Sequence, residues 1–295
     1  MKRVAITGGT GMIGRQVADA LRARGDEVTV LSRSAPGTVH WAEPTAEPPP
    51  PEAIAGHDGV VHLLGETVAQ RWTGKAKRTI RESRELATRN LVEGMSRLSE
   101  AERPAALVSM SAIGWYGARG DERVDESEPA GDDFLAGVVE AWEAEARKAE
   151  ALGMRVAIPR TGVVLASGGG ALAKMLPPFK MGVGGPVAGG RQYVPWVHLD
   201  DVVGALLFLL DGGEGTYNVT APEPVTNREL SKALGRALRR PAVLPVPALA
   251  IRALYGEMAW IVTTGVRAVP KRLLEAGYSF RRPDLDDALR AATGV

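Results

Sequence analysis

The sequence predicts an α/β fold in which a parallel, doubly wound sheet carries a smaller, irregular α/β lobe at its C-terminal side. Three observations predict it. Short apolar runs alternate with amphipathic helical stretches as far as about residue 160, the order that lays parallel strands between helices. The first run, Val4-Ala5-Ile6, breaks into Thr7-Gly8-Gly9-Thr10-Gly11-Met12-Ile13-Gly14 and reopens as a helical stretch from Arg15 to Arg24 that stops at Gly25. From Gly168 onward glycine becomes frequent and the chain reads as irregular segments with several helices. The expected division is therefore a Rossmann-type dinucleotide-binding part at 1–167, to which segments around 190–220 return, and a smaller substrate lobe at 168–295. That lobe includes a C-terminal module at about 245–295.

The elements follow in order. Glu27 to Leu31 (EVTVL) reads as the second strand, and residues 34–57 as loop, stiffened at Pro48 to Pro51. Gly59 to Leu64 (GVVHLL) is a buried strand, followed by a long helix from about Lys75 to Leu98. Ala106 to Ser111 (ALVSMS) is the next strand, Asp132 to Leu152 the next helix, and Arg155 to Arg160 (RVAIPR) the last clear strand of the series. His198, Asp200 and Asp201 are expected to be structural, with Asp200 capping a helix after the packed Trp196-Val197 strand.

Composition narrows the function classes. The chain has 295 residues, a net charge of +1, 24% charged residues and no cysteine. Near-neutral charge gives no reason to expect a nucleic-acid or membrane-surface partner. No apolar run approaches the ~20 residues of a bilayer span. Without cysteine there is no disulfide framework, thiol nucleophile or Cys-based metal site, and no metal is expected. Cytoplasm is the expected compartment. A homodimer through the long helices is conceivable, and a small-molecule substrate of unread identity is the expected partner.

The glycine turn carries the chemistry. Gly8, Gly11 and Gly14 allow a tight strand-to-helix turn, a close backbone approach to a pyrophosphate, and helix-on-strand packing. Amides at the helix start, including those around Thr10, Met12 and Ile13, then face the anion along the positive end of the helix dipole. The tip of the second strand, Leu31-Ser32-Arg33-Ser34, lies about 20 residues on and lacks the carboxylate that would bind adenosine ribose hydroxyls. Arg33 instead offers a planar fork for a 2′-phosphate, with Ser32 and Ser34 as further donors. NADP(H) is therefore expected over NAD(H). The bland alternative is a solvated surface arginine.

The pieces together resemble the extended short-chain dehydrogenase/reductase superfamily, and within it an atypical, epimerase-like subgroup. The matching segments include TGGTGMIG (7–14), LSRS (31–34), HLLGE (62–66), SMSAIGWYG (109–117), IPRTGVVLASGGG (158–170), GVGGPVAGGRQYVPWVHLDDV (182–202) and TYNVTAPEPVTNREL (216–230). The tail at 257–280 resembles the small C-terminal module typical of that subgroup. The resemblance implies that Leu63, Leu64, Gly65 and Glu66 run past the cofactor's pyrophosphate and ribose. It implies that backbone near Val164 meets the carboxamide. Arg84 stands where extended members usually carry an Asn, so it reaches the cofactor or an anionic substrate, or is simply a helix-surface residue.

The same resemblance exposes a gap. Extended members place a Tyr and, four residues later, a Lys on one face of the helix after the fifth strand, where the ammonium lowers the phenol pKa. None of the five tyrosines here is followed by Lys at that spacing, and Leu135 and Val139 take the pair's place. The remaining catalytic candidates are Ser111, Glu66 and Tyr116. Ser111 is either a hydroxyl at the nicotinamide or a strand-end residue satisfying backbone, and a second register puts Ala112 in its place. Glu66 is a base, a ribose ligand or a cap; Tyr116 is a proton donor or part of a structural turn. Three functions remain open: an NADP(H)-dependent oxidoreductase acting on a carbonyl or sugar-like compound, a non-catalytic NADP(H) sensor, and, with least support, an epimerase or dehydratase.

Overall fold

Val4 and Ile6 point to one face of a central sheet and Ala5 to the other, and all three are fully buried. A strand apolar on both sides needs helices on both sides, and the computed structural model, which describes residues 1–294, supplies them. The chain runs β1 (Arg3–Thr7), α1 (Met12–Ala23), β2 (Glu27–Ser32), β3 (Val39–His40), β4 (Gly59–His62), α2 (Gly74–Ser96), β5 (Ala106–Ser109) and β6 (Ser111–Ala112). It continues with β7 (Arg123–Val124), α3 (Phe134–Arg147), β8 (Arg155–Thr161), β9 (Val163–Leu165), α4 (Gly170–Lys180), β10 (Tyr193–Val194), β11 (Trp196–His198), α5 (Leu199–Gly212) and β12 (Gly215–Val219). Last come β13 (Val225–Thr226), α6 (Asn227–Leu238), α7 (Ala248–Tyr255), α8 (Ala259–Thr263), β14 (Arg267–Ala268), α9 (Lys271–Glu275) and α10 (Leu285–Thr293).

The main sheet has the order β12-β8-β5-β4-β1-β2-β3, with β6 extending the pairing on β8, and its strands are parallel. One face packs α1 and α5 through Val17, Leu21, Leu206 and Leu209; the other packs α2 and α3 through Leu91, Met95 and Ala146. Strand order reverses beside β1, whose end at Thr7 lies between Leu31 of β2 and His62 of β4. That edge is where open α/β sheets bind ligands. A second core, built from Leu172, Phe179, Trp196, Leu230, Leu234 and Leu289, joins α4, α6 and α10 in the smaller lobe.

Four local expectations need correction. Val39–His40 forms an edge strand inside the expected loop, too short to show any alternation. The strand expected at 106–111 breaks at Met110, whose amide donates to the His62 carbonyl. The helix expected to reach Leu152 ends at Arg147 and tightens into a 3₁₀ turn that closes on Gly153 at φ +79°. The cap of α5 is His198, whose Nδ1 accepts from the Asp200 amide, and Asp200 lies in the first turn.

Candidate functional site

Gly8 adopts φ +70°, and a Cβ there would lie 2.7 Å from the Leu63 carbonyl oxygen. A Cβ on Gly14 would lie 2.3 Å from the Gly8 oxygen. Both positions therefore exclude a side chain, and the turn folds back on the end of β4. Gly11 is different: a Cβ there meets only the Gly8 oxygen, at 3.3 Å, and otherwise open space. Gly11 is also the N-cap of α1, with no side-chain cap and no acidic residue in the first turn. The amides at the helix start and the positive dipole end thus face a space that no side chain of the turn fills. Met12 reaches across the groove, since Cβ atoms on Gly169 and Gly170 would lie 3.2 Å from its Sδ and 3.5 Å from its Cε. It draws the β9–α4 loop, which follows Val164, over the turn, while Ile13 packs into the core below.

Beside the turn, the β2 tip is shaped by Ser32, whose Oγ accepts from the amides of Ser34 and Ala35 at 3.4 and 3.1 Å. Arg33 and Ser34 project exposed from that turn. Among the described residues Arg33 has no ion pair. Behind the turn His62 is fully buried, and its two neighbours fix its tautomer. Thr88 Oγ1 donates to the Arg84 carbonyl and so accepts from His62 Nε2 at 2.9 Å; Thr7 Oγ1 then donates to Nδ1 at 2.6 Å. Burial holds this imidazole neutral, with its pKa pushed down to about 3.

At the far end of the groove Gly65 is exposed, and a Cβ on it would lie 3.0 Å from the Arg84 guanidinium carbon. Arg84 stacks 5.2 Å over Trp142 and donates to the Ile80 carbonyl. Burial lowers its pKa to about 10 while the Glu66 charge acts in the opposite direction. Glu66 donates its amide to Ser83 Oγ, and its carboxylate accepts the Thr67 amide at 2.9 Å. On the α3 side, a Cβ on Gly114 would meet Leu135 at 3.4 Å and Val139 at 3.9 Å, so these two apolar residues pack against the Ile113–Tyr116 turn.

A family model described as NAD dependent epimerase/dehydratase family matches residues 4–220, most of the chain. The chain belongs to the NAD dependent epimerase/dehydratase family. Residues 246–292 match a second model, the domain of unknown function DUF1731. An epimerase family protein of Mycobacterium bovis, Mb2239, is 40% identical over 98% of this chain and 97% of its own length. The epimerase family protein SDR39U1 of mouse is 38% identical, over 98% of each. The crystal structure of human SDR39U1, isoform 2, which contains NADPH, superimposes with a TM-score of 0.90 at 35% identity, covering 99% of both chains.

Within this epimerase-family fold, two catalytic candidates are committed elsewhere. The Ser111 hydroxyl donates to Glu143 at 2.6 Å, and Glu143 takes a paired contact from Arg160 at 2.8 and 2.9 Å. Tyr116 donates to Asn218 at 2.8 Å, accepts from Arg160 and has its pKa pushed up to about 12 by burial. All five residues are buried. The Ser111 hydroxyl therefore meets a side-chain carboxylate rather than backbone, and the Tyr116 phenol is held between Asn218 and Arg160. Glu143, Arg160 and Asn218 escaped the sequence reading; an Arg inside an otherwise apolar strand was the available signal. Glu66 is half-buried and follows the exposed Gly65. A cavity of about 680 Å³ between Gly120, Arg191, Tyr193, Arg228 and Gly265 lies apart from all of these residues. Among the described residues no acidic or histidine cluster could hold a metal, and no helix is long and apolar enough to cross a membrane.

Proposed function

We propose that the chain binds NADP(H) in this groove and acts as an oxidoreductase on a carbonyl compound. The observation that carries the reading is the uncapped, glycine-bounded start of α1 beside an exposed Arg33 that has no acidic partner among the described residues. The α1 amides would hold the pyrophosphate, and Arg33 with Ser34 would hold the 2′-phosphate. Gly65 would admit the ribose, and Arg84, fixed on Trp142, would orient it. Bound there, the cofactor supplies the hydride. Glu66 would exchange the accompanying proton with solvent, as the one carboxylate among the candidates. The NADPH in human SDR39U1 supports the cofactor choice.

A second reading, a non-catalytic NADP(H) sensor, draws on one specific observation: α3 carries Leu135 and Val139, which cannot move a proton, in the place of the Tyr-Lys pair. Turnover separates the two. Purified protein with NADPH and a carbonyl panel should lose absorbance at the nicotinamide band, and Glu66→Gln should slow that loss while leaving NADPH affinity intact. Arg33→Ala should reduce the preference for NADPH over NADH by about tenfold to a hundredfold, since a charge-assisted bond contributes about 1.5–3 kcal/mol. Unchanged discrimination in the titration would remove Arg33 from the site.

A further inference from the structure

The net charge of +1 conceals a very uneven distribution. Residues 168–199 and 230–256 contain eight Lys or Arg and no Asp or Glu, so the rest of the chain is net acidic. An expectation of no membrane-surface partner, drawn from the total, therefore does not extend to this part of the molecule. The fold also brings the two stretches together. The end of α4 and the turn after it, 177–188, run beside 241–246: the Ala188 amide donates to the Val246 carbonyl, and the Val246 amide to the Pro186 carbonyl. A Cβ on Gly182 would touch Pro241 at 3.7 Å, and one on Gly185 would run into the Leu244 backbone.

This joined edge is apolar where it meets solvent. Met181, Val183, Val243, Leu244 and, at the start of α7, Leu249 are 48–78% exposed. Lys180, Arg239 and Arg240 adjoin them along the chain, are exposed, and have no ion pair among the described residues. Exposed aliphatic side chains gathered in this way mark a contact with something outside the molecule, and the rim selects among occupants. A second copy of the chain would set the same cations against each other across a two-fold contact. The core of a protein partner's contact is ordinarily rich in aromatic residues, and none of these five is aromatic. A nucleic acid would engage the cations and leave the aliphatic side chains unused. An anionic bilayer uses both, because aliphatic side chains enter the boundary between headgroups and acyl chains while cations beside them meet the lipid charge.

We propose that this edge of the smaller lobe docks the protein on the surface of an anionic lipid bilayer, with Met181, Val183, Val243 and Leu244 inserted and Lys180, Arg239 and Arg240 against the headgroups. The docking is peripheral, since among the described residues no helix is long and apolar enough to cross a membrane. It does not depend on the cofactor reading. The test is flotation of the full chain with vesicles of phosphatidylcholine alone, or with about one-third phosphatidylglycerol, in about 0.1 M salt. Binding to the anionic vesicles should be about tenfold or more tighter than to the neutral ones. Arg239→Glu with Arg240→Glu should lower it about tenfold or more, and Val243→Asp should lower it markedly. All three positions are exposed, so the melting temperature should stay at the parent value. Because the chain has no cysteine, Val243→Cys accepts a single environment-sensitive label. Its emission should shift to the blue on anionic vesicles, while a label at Asp19→Cys, exposed on α1, stays unchanged. Absence of flotation with anionic vesicles, flotation indifferent to both variants, or an Asp19 label that shifts as much would overturn the proposal. Capture by RNA, or a dimer dispersed by Val243→Asp, without flotation would assign the surface to another occupant and overturn it equally.

Discussion

His62 carries a charge-free imidazole in the middle of the sheet edge, and this has a measurable pH signature. Its folded pKa, about 3, lies below the usual histidine value of 6.5. Below about pH 6.5 the unfolded chain therefore takes up a proton that the native chain refuses. The stability that neutral His62 brings is fully present above pH 6.5 and is lost progressively as pH falls toward 3, at roughly 1 kcal/mol per pH unit. His57 and His198 are also lowered by burial and share the trend, so the comparison is with His62→Gln. Urea unfolding at pH 7.5, 6.5 and 5.5 should show the parent losing stability faster than this variant. Parallel slopes would mean that His62 is not held neutral.

At the scale of elements, the Glu143–Arg160 pair joins α3 to β8 and fixes β6 through Ser111. Both side chains are 3% exposed. Such a pair is costly to bury but costlier to halve, because the surviving charge is left unpaired. Glu143→Gln should therefore cost several kcal/mol, about 3 by the usual range, read as a lower urea midpoint. A surface-like loss under 1 kcal/mol would show that water reaches Arg160. The same network explains what the sequence made legible. Continuous apolar runs predict β1, β4 and β8, helical apolar spacing predicts α1, and the glycine turn is a local signal that needs no partner. Ser111 and Tyr116 carry no such local mark. Their fate is decided by Glu143, 32 residues beyond Ser111, and by Asn218, 102 residues beyond Tyr116. Contacts at that range have no imprint in spacing, so the partners of both residues stay hidden until the fold is known. The two-residue strand at Val39–His40 was invisible for the opposite reason, being too short to display a period.

Across the whole molecule, one buried carboxylate couples the C-terminal segment to the sheet. Asp201 lies in the first turn of α5, the helix that covers β1, β4 and β8. It is fully buried and accepts the backbone amides of Arg281 at 2.6 Å and Arg282 at 3.0 Å, while Tyr278 donates to its carbonyl. Tyr278 in turn stacks edge to face on Phe208 and Phe280. The segment that begins at this anchor ends in α10, which packs on α6, and Leu273 of α9 lies in the same core as β12. Helix α7, none of whose residues is buried, is thus flanked by firmly held chain. Removing the anchor should act on the whole fold, because it leaves two amides without an acceptor inside the protein. Asp201→Ala should lower the melting temperature by about 5 °C or more, taking a loss of 2–3 kcal/mol and the usual shift per kcal/mol for a chain of this size. Cofactor affinity should change little at temperatures where the variant is folded, since Gly8 to Gly14 and Arg33 are not among the contacts of Asp201. A calorimetric scan checks the first expectation and an NADPH titration at 15 °C the second. An unchanged melting temperature would mean that the C-terminal segment docks through its apolar contacts alone.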